Sequence, residues 1–372
     1  MTNFDPNTTK HIQIGGRKLT LAVAQSNIVK KHLVAKFPHI KCSILALSTL
    51  GDQIQSKPLY LFGGKALWTK ELETLLMQAI GGLPQLDMIV HSLKDVPTNL
   101  PEEFELGCIL DRLDPRDVLV MRKGSKYKSL AELPAGTMVG TSSVRRSSQL
   151  MKNYPHLRFD SARGNINTRV QKLDAEDSPF ECLLLAAAGL QRVGLDHRIT
   201  TYLDAPDMYY AVGQGALGVE IRKGDEKIKQ LLQAIEDVPT SLCCHAERSL
   251  MRYLEGGCSV PIGVHTDYDK TTQVLKFNAI VVSPDGNESV EDKIEMKVTT
   301  KSEADALGQQ LGDKLIAKGA KEILAAINFD RINQPPVVVP SPAPSEIIVS
   351  TSDEEKEKVG EDRMSGAQRQ YV

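Results

Sequence analysis

The chain has 372 residues, 41% of them hydrophobic and 25% charged, with a formal net charge of −2 at pH 7. That length suits two or three globular domains, and the near-neutral charge supplies no global basic field for nucleic acid or an anionic membrane. No apolar run approaches the roughly 20 residues of a bilayer span, and the polar start MTNFDPNTTK has neither the apolar core of a signal peptide nor the arginine bias of a transit peptide.

The first predicted strand covers residues 11–14 and leads through Gly15-Gly16 into an amphipathic helix with Leu21, Ile28, Val29 and Leu33 on its apolar face. A strand over 42–47 precedes a polar loop over 49–64, and a helix follows with Leu67, Leu72, Leu75, Leu76 and Ile80. Residues 86–90 read as a short buried strand ending in His91-Ser92-Leu93-Lys94-Asp95. The rhythm restarts near Leu130: strands over 137–139, 157–159 and 182–186 alternate with helices over 143–153 and 165–173. Such alternation indicates α/β layers with a mostly parallel sheet, so two similar lobes are expected, with residues 211–221 returning to the first and a cleft between them. A third unit starts near Asp237, with a helix over 241–254, strands over 274–282 and 290–298 around the hairpin signal Pro284-Asp285-Gly286-Asn287, and a final helix over 302–328 interrupted near Gly319. Ser302 with Asp305 three residues on reads as that helix's start. Beyond Gln334 the chain turns proline-rich and acidic, which predicts a disordered tail over 335–372.

The chemistry concentrates in a few stretches. Val139-Gly140-Thr141-Ser142-Ser143-Val144-Arg145-Arg146 reads as strand, small polar turn, helix start and basic pair. Helix N-termini attract anions, and guanidinium forks match carboxylates. The logic repeats in Ser161-Ala162-Arg163-Gly164-Asn165-Ile166-Asn167-Thr168-Arg169, and Arg192 adds a further cation. One such arginine is ordinarily a solvated helix residue; two junctions of the same chemistry point to a polyanion site. Lys94 and Asp95 follow a buried strand, where a carboxylate can stabilise developing positive charge, a surface ion pair being the plainer alternative. Phe62-Gly63-Gly64-Lys65 lacks the spacing of a phosphate loop and suits a mobile flap instead. Glu255-Gly256-Gly257-Cys258-Ser259-Val260-Pro261 presents a thiol on a turn after a helix carrying Ala246, Leu250 and Leu254. The six cysteines (42, 108, 182, 243, 244, 258) form no CxxC, so reduced thiols and a cytoplasmic setting are expected. Cys243-Cys244-His245 looks metal-like, but consecutive helix residues point in different directions, and no metal is expected there.

The segments GGKALWTKELE, VHSLKDVP, DPRD, VGTSSVRR, RGNINTR, AAAGLQR, AVGQGALG and LEGGCSVPIG occur in this order. Together they closely resemble the porphobilinogen deaminase (hydroxymethylbilane synthase) family over about residues 10–330. The resemblance implies three domains: two lobes of periplasmic-binding-protein type II fold, at 1–113 with 211–236 and at 114–210, then a smaller α/β domain at 237–334. It implies a transferase that condenses four porphobilinogen molecules head to tail into 1-hydroxymethylbilane with release of ammonia, in tetrapyrrole and haem biosynthesis. It also implies a monomer, and a dipyrromethane cofactor held by thioether on the residue matching Cys258.

Residue by residue, the resemblance makes Asp95 the catalytic carboxylate that stabilises the cationic azafulvene. Ser92, Lys94, Thr141, Ser143, Arg145, Arg146, Gly164 and Arg169 match cofactor-holding positions. Arg17, Arg163, Arg192 and Gln214 match positions for substrate or chain carboxylates, and Lys65 belongs to the flap. Two positions depart from the pattern: Leu19 stands where the family usually has serine, and Leu61 where some members have lysine. The competing reading is a non-enzymatic two-lobe anion-binding protein, which would need neither Cys258 nor Asp95.

Overall fold

In the computed structural model of the chain, residues 10–48, 69–254 and 260–332 are described. The chain opens with β1 (His11–Arg17), α1 (Thr20–Lys36), β2 (Lys41–Leu47), α2 (Lys70–Met77), β3 (Met88–Ser92) and β4 (Phe104–Ile109). It then crosses to a second unit of β5 (Asp117–Met121), β6 (Met138–Gly140), α3 (Val144–Asn153), β7 (Arg158–Asp160), α4 (Ile166–Asp174), β8 (Cys182–Ala186), α5 (Ala187–Arg192) and β9 (Thr201–Leu203). It returns through β10 (Leu217–Arg222) and α6 (Glu226–Gln233), and continues with α7 (Val238–Tyr253), β11 (Ile262–Asp269), β12 (Val274–Val282), β13 (Ser289–Lys297), α8 (Lys301–Ala317) and α9 (Ala320–Ile332).

Two five-stranded sheets share one plan, β2-β1-β3-β10-β4 and β7-β6-β8-β5-β9. In each, four strands run parallel and one, delivered by the chain crossing from the other lobe, is antiparallel. This is the two-lobe α/β fold expected from the sequence. Both faces of each sheet are covered: along β5, Val118 and Val120 enter one core cluster and Leu119 and Met121 another. Side chains alternate across a strand, so burial on both faces requires the unbroken apolar run Val118-Leu119-Val120-Met121. The third sheet, β11-β12-β13, is antiparallel. It shares a core with α7, α8 and α9 that includes Leu250, Phe277, Val281, Leu307, Leu311 and Leu324.

Several boundaries differ from the sequence expectation for identifiable reasons. Gly15 and Gly16 continue β1 instead of forming a turn. A Cβ at Gly15 would lie 2.4 Å from Leu86 Cδ1, and one at Gly16 2.6 Å from Ser26 Oγ, so these glycines serve close packing. Helix α2 stops at Met77, and Ile80 lies in a turn built by Gly81 and Gly82, both at positive φ. The capping box of α8 is Thr300 with Glu303, upstream of the expected Ser302 and Asp305. The longer Glu303 side chain reaches back to the cap amide, whereas Asp305 pairs with Arg252 at 3.1 Å. Strands β4, β9 and β11, short or half polar, were not legible from periodicity, and β5 was not picked out despite its apolar run.

The three units meet at a buried charge. Glu247 of α7, 0% exposed, takes both arms of Arg112 at 2.6 and 3.0 Å, the Thr266 hydroxyl at 2.7 Å and the Gly213 amide at 2.7 Å. Arg112 lies in the outward crossing between the lobes and Gly213 in the return crossing.

Replacing Gly15 by alanine drives a methyl into Leu86 and is expected to destabilise the first lobe by about 1–3 kcal/mol. A lowered urea midpoint with an unchanged slope would show it.

Candidate active site

The parallel strands of both lobes discharge the predicted residues from their carboxyl ends, where open α/β sheets place their ligands. Arg17 ends β1; Ser92 ends β3 and is followed by a 3-10 turn, Leu93–Asp95, that carries Lys94 and Asp95. Thr141 and Ser143 follow β6 and open α3, which bears Arg145 and Arg146. Arg163 and Gly164 follow β7 and open α4, which bears Arg169; Arg192 closes α5 after β8. Lys65, Leu61 and Cys258 lie outside the described residues, as does the tail beyond 332.

In the second lobe, Arg145 and Arg146 are each only 6% exposed. Both turn onto one carboxylate that sequence reasoning had not singled out. Asp117, 0% exposed at the start of β5, accepts from Arg145 Nη1 at 2.7 Å and from Arg146 Nη2 and Nε at 2.8 and 3.0 Å. Arg145 Nη1 also donates to the Tyr209 carbonyl at 2.5 Å, and Arg146 Nη1 to the Leu184 carbonyl at 2.9 Å. Burial alone would raise the Asp117 pKa, but the two guanidiniums hold it well below the usual carboxylate range. Asp117 sits in the DPRD segment directly before the buried run of β5, and a charge in that position needs a cationic partner. That requirement was the available signal.

Helix α4 starts cleanly because Asn165 caps it, its Oδ1 accepting from the Thr168 amide at 2.8 Å. Gly164 precedes the cap at φ +116°, and its carbonyl takes Arg169 Nε at 2.7 Å. Arg169 is half-buried, and burial together with the neighbouring Arg146 lowers its pKa to about 10. Arg163 Nε donates to Ser161 Oγ at 3.1 Å, and Thr141 Oγ1 accepts the Ser143 amide at 3.2 Å. Arg192 Nη2 reaches the Gly215 carbonyl at 2.6 Å, while its buried Nε has no hydrogen-bond partner among the described residues.

In the first lobe, Asp95 is exposed and Lys94 half-buried. Burial, with Arg146 and Arg145 nearby, lowers Lys94 to about 8 despite the opposing pull of Asp95 and Asp117. The charge of Asp95 also acts on Arg169, so the two lobes bring these groups into one electrostatic neighbourhood. Gln25 of α1 donates to Ser92 Oγ at 2.7 Å. His91 Nε2 meets the buried Glu220 Oε2 at 2.7 Å, and among the described residues no three His, Cys, Asp or Glu side chains come together as a metal site would need. Cys243 and Cys244 are both buried in α7, although consecutive helix positions were expected to divide between core and surface.

Gln214 joins the halves. Its Nε2 donates to Asp117 Oδ1 at 2.9 Å and to the Pro115 carbonyl at 2.7 Å, and its Oε1 accepts from Lys94 Nζ at 3.4 Å. Gly213 and Gly215 on either side hold φ of +71° and +88°, and a Cβ at Gly215 would lie 2.5 Å from the Leu113 carbonyl. Only glycine allows that tight return.

Asp117→Asn keeps the shape but leaves two buried guanidiniums without a counterion, and a loss of about 3–5 kcal/mol is expected. The native pKa is depressed, so the contribution is fully present above the unfolded value of about 3.9 and is lost as pH falls through the native value. The deficit in urea unfolding should therefore stay constant between about pH 5 and 7 and close only in strong acid.

The family model described as porphobilinogen deaminase, dipyromethane cofactor binding domain, matches residues 12–230, and the model for the porphobilinogen deaminase C-terminal domain matches 241–317. Porphobilinogen deaminase of Debaryomyces hansenii is 68% identical over 90% of this chain and 93% of its own length. That of Candida albicans is 64% identical over 90% and 98%, and that of Saccharomyces cerevisiae 58% identical over 86% and 98%. Among solved structures, a substrate binding domain of a putative amino acid ABC transporter from Streptococcus pneumoniae gives a TM-score of 0.37 at 12% identity, covering 61% of this chain and 92% of that one. The fold assignment rests instead on the strand order of the two sheets. Strand order, strand-end chemistry and sequence agree, and the chain belongs to the porphobilinogen deaminase family.

Proposed function

We propose that this chain condenses porphobilinogen stepwise into 1-hydroxymethylbilane, with Asp95 as the catalytic carboxylate and Cys258 as the covalent anchor of a dipyrromethane cofactor. The observation that carries this reading is the convergence of strand-end cations on an exposed carboxylate. Lys94, Arg145, Arg146 and Arg169 gather four cations around Asp95 and Asp117, and burial, with the neighbouring arginines, lowers the pKa of Lys94 and Arg169. The buried Nε of Arg192, without a partner among the described residues, is a further donor for an acceptor. Each pyrrole brings an acetate and a propionate, so a linked pair carries four carboxylates to meet these cations. When bound, dipyrromethane supplies a tethered primer on which the chain is built.

The protein's part is electrostatic and positional. Arg145 and Arg146, braced by Asp117, act as fixed sources of charge, and the half-buried Arg169 and Lys94 meet carboxylates directly. Ser92, Thr141 and Ser143 add hydroxyl donors, and Gly164 gives the backbone close approach. Arg17, Lys65, Arg163, Arg192 and Gln214 receive the carboxylates of incoming substrate and growing chain. Asp95, exposed at the strand end, stabilises positive charge as ammonia departs. A passive anion binder has no use for that carboxylate amid the cations it would partly cancel.

We assign residues 1–113 with 211–236 to the first domain, 114–210 to the second and 237–334 to the third. The protein is read as a cytoplasmic monomer; Cys42, Cys108, Cys182, Cys243 and Cys244, all buried and unbridged, suit a reducing compartment.

Intact mass under denaturing conditions tests the anchor: wild type should exceed its sequence mass by two linked pyrrole units, and Cys258→Ala should not. An unmodified wild type after incubation with porphobilinogen would remove the enzymatic reading. Asp95→Ala should fold and keep the pyrrole mass yet lose turnover about a thousandfold, the scale on which such electrostatic groups act; undiminished turnover would exclude the role. Anion affinity should weaken as pH rises through about 8, where Lys94 loses its proton, and Lys94→Arg should move that limb to higher pH.

A further inference from the structure

The turn carrying Asp95 is held from the third domain. Arg248 of α7, 5% exposed, donates through Nη1 to the Val96 carbonyl at 3.2 Å and through Nη2 to the carbonyls of Pro97 and Thr98 at 2.7 and 3.4 Å. One guanidinium thus collects three consecutive carbonyls immediately after Asp95. One turn earlier on the same helix, Cys244, 0% exposed, packs in a cluster with Leu93, Val96, Ile109 and Ala216 beneath that turn. Helix α7 is itself immobilised by α8: a Cβ at Gly308 would lie 2.3 Å from the Ala246 carbonyl, and Ser249 Oγ donates to the Asp305 carbonyl at 2.7 Å. The chain leads from α7 directly to residues 255–259, which include Cys258.

We infer that Arg248 is a positioning residue that fixes Asp95 relative to the helix leading to the anchoring cysteine, so that the registration between carboxylate and tethered chain is set by α7. This rests on the roles given above to Asp95 and Cys258. Arg248 touches no reacting atom. Its fork is suited to several carbonyls at once, whereas a lysine ammonium is a single point of donation. A displacement of about 1 Å at a catalytic group can cost a hundredfold in rate.

The test uses full-length Arg248→Lys and Arg248→Met, expressed so that the cofactor can be acquired. Three quantities are read: bound pyrrole mass, amide hydrogen exchange over residues 93–98, and kcat and KM for porphobilinogen. The expected result is wild-type pyrrole mass, faster exchange at 93–98, and a kcat reduced about 10- to 100-fold in the methionine variant and less in the lysine variant, with KM within about twofold. Wild-type kcat or wild-type exchange in a folded variant would overturn the inference, and a lowered melting temperature with unchanged kcat would reduce Arg248 to a stabilising contact. Should the methionine variant fail to fold, the lysine variant, which keeps the charge, decides alone by the same readings. A wild type lacking pyrrole mass would instead remove the functional reading, and the exchange measurement would still report whether Arg248 orders the turn.

Discussion

Two guanidiniums on one buried carboxylate make the rest of this site possible. Arg145 and Arg146 sit side by side at the start of α3 with almost no exposure, and neither could be buried without a counterion. Asp117 supplies it from the neighbouring strand, and it also receives Gln214, through which the contact extends to Lys94 in the other lobe. The arrangement is asymmetric in charge: one carboxylate for two cations. What is left over is positive, fixed in place, and faces the strand ends.

The two aspartates of the site divide the work by environment. Asp117 is sealed and paired, its pKa held well below the usual carboxylate range by Arg145 and Arg146. Asp95 is exposed at the end of a 3-10 turn, with Lys94 and Arg169 within reach of its charge. The first belongs to the scaffold's electrostatics and the second is available to chemistry. The cations differ in degree: Arg146 gives Nε, Nη1 and Nη2 to protein acceptors, Arg169 gives Nε to the Gly164 carbonyl and Lys94 Nζ reaches Gln214, and burial lowers the pKa of both Lys94 and Arg169.

Much of this was legible beforehand because it is local. A strand followed by small hydroxyl residues and a basic pair announces a helix start facing an anion, and the segments at 139–146 and 161–169 fold that way. Strands β8 and β12 appear over the same residues that their apolar runs predicted. The misread helix ends had local causes, whereas other misreadings depended on a partner distant in sequence. Gly15-Gly16 has the signature of a turn, and only the proximity of Leu86 and Ser26 shows it to be a packing requirement. The local signal of Asp117 is only its place before the buried run of β5, and Arg248 has none; the first acquires its role from α3 and the second from carbonyls about 150 residues earlier in the chain. Leu19 was marked as a departure from the family pattern, and the structure puts it at the N-cap of α1, where no side chain accepts from the helix.

The junction around Glu247 bears on how the molecule can move. Proteins of two lobes joined by paired crossings open and shut by flexing at those crossings. Here both are splinted: Arg112 in one and the Gly213 amide in the other converge on the same carboxylate from the third domain, and Arg112 Nε further takes the Gln214 carbonyl at 2.7 Å. Flexing there would expose a buried charge without its partner, at a cost of several kcal/mol. A clamshell motion at the crossings is therefore opposed by the same carboxylate that ties the three units together.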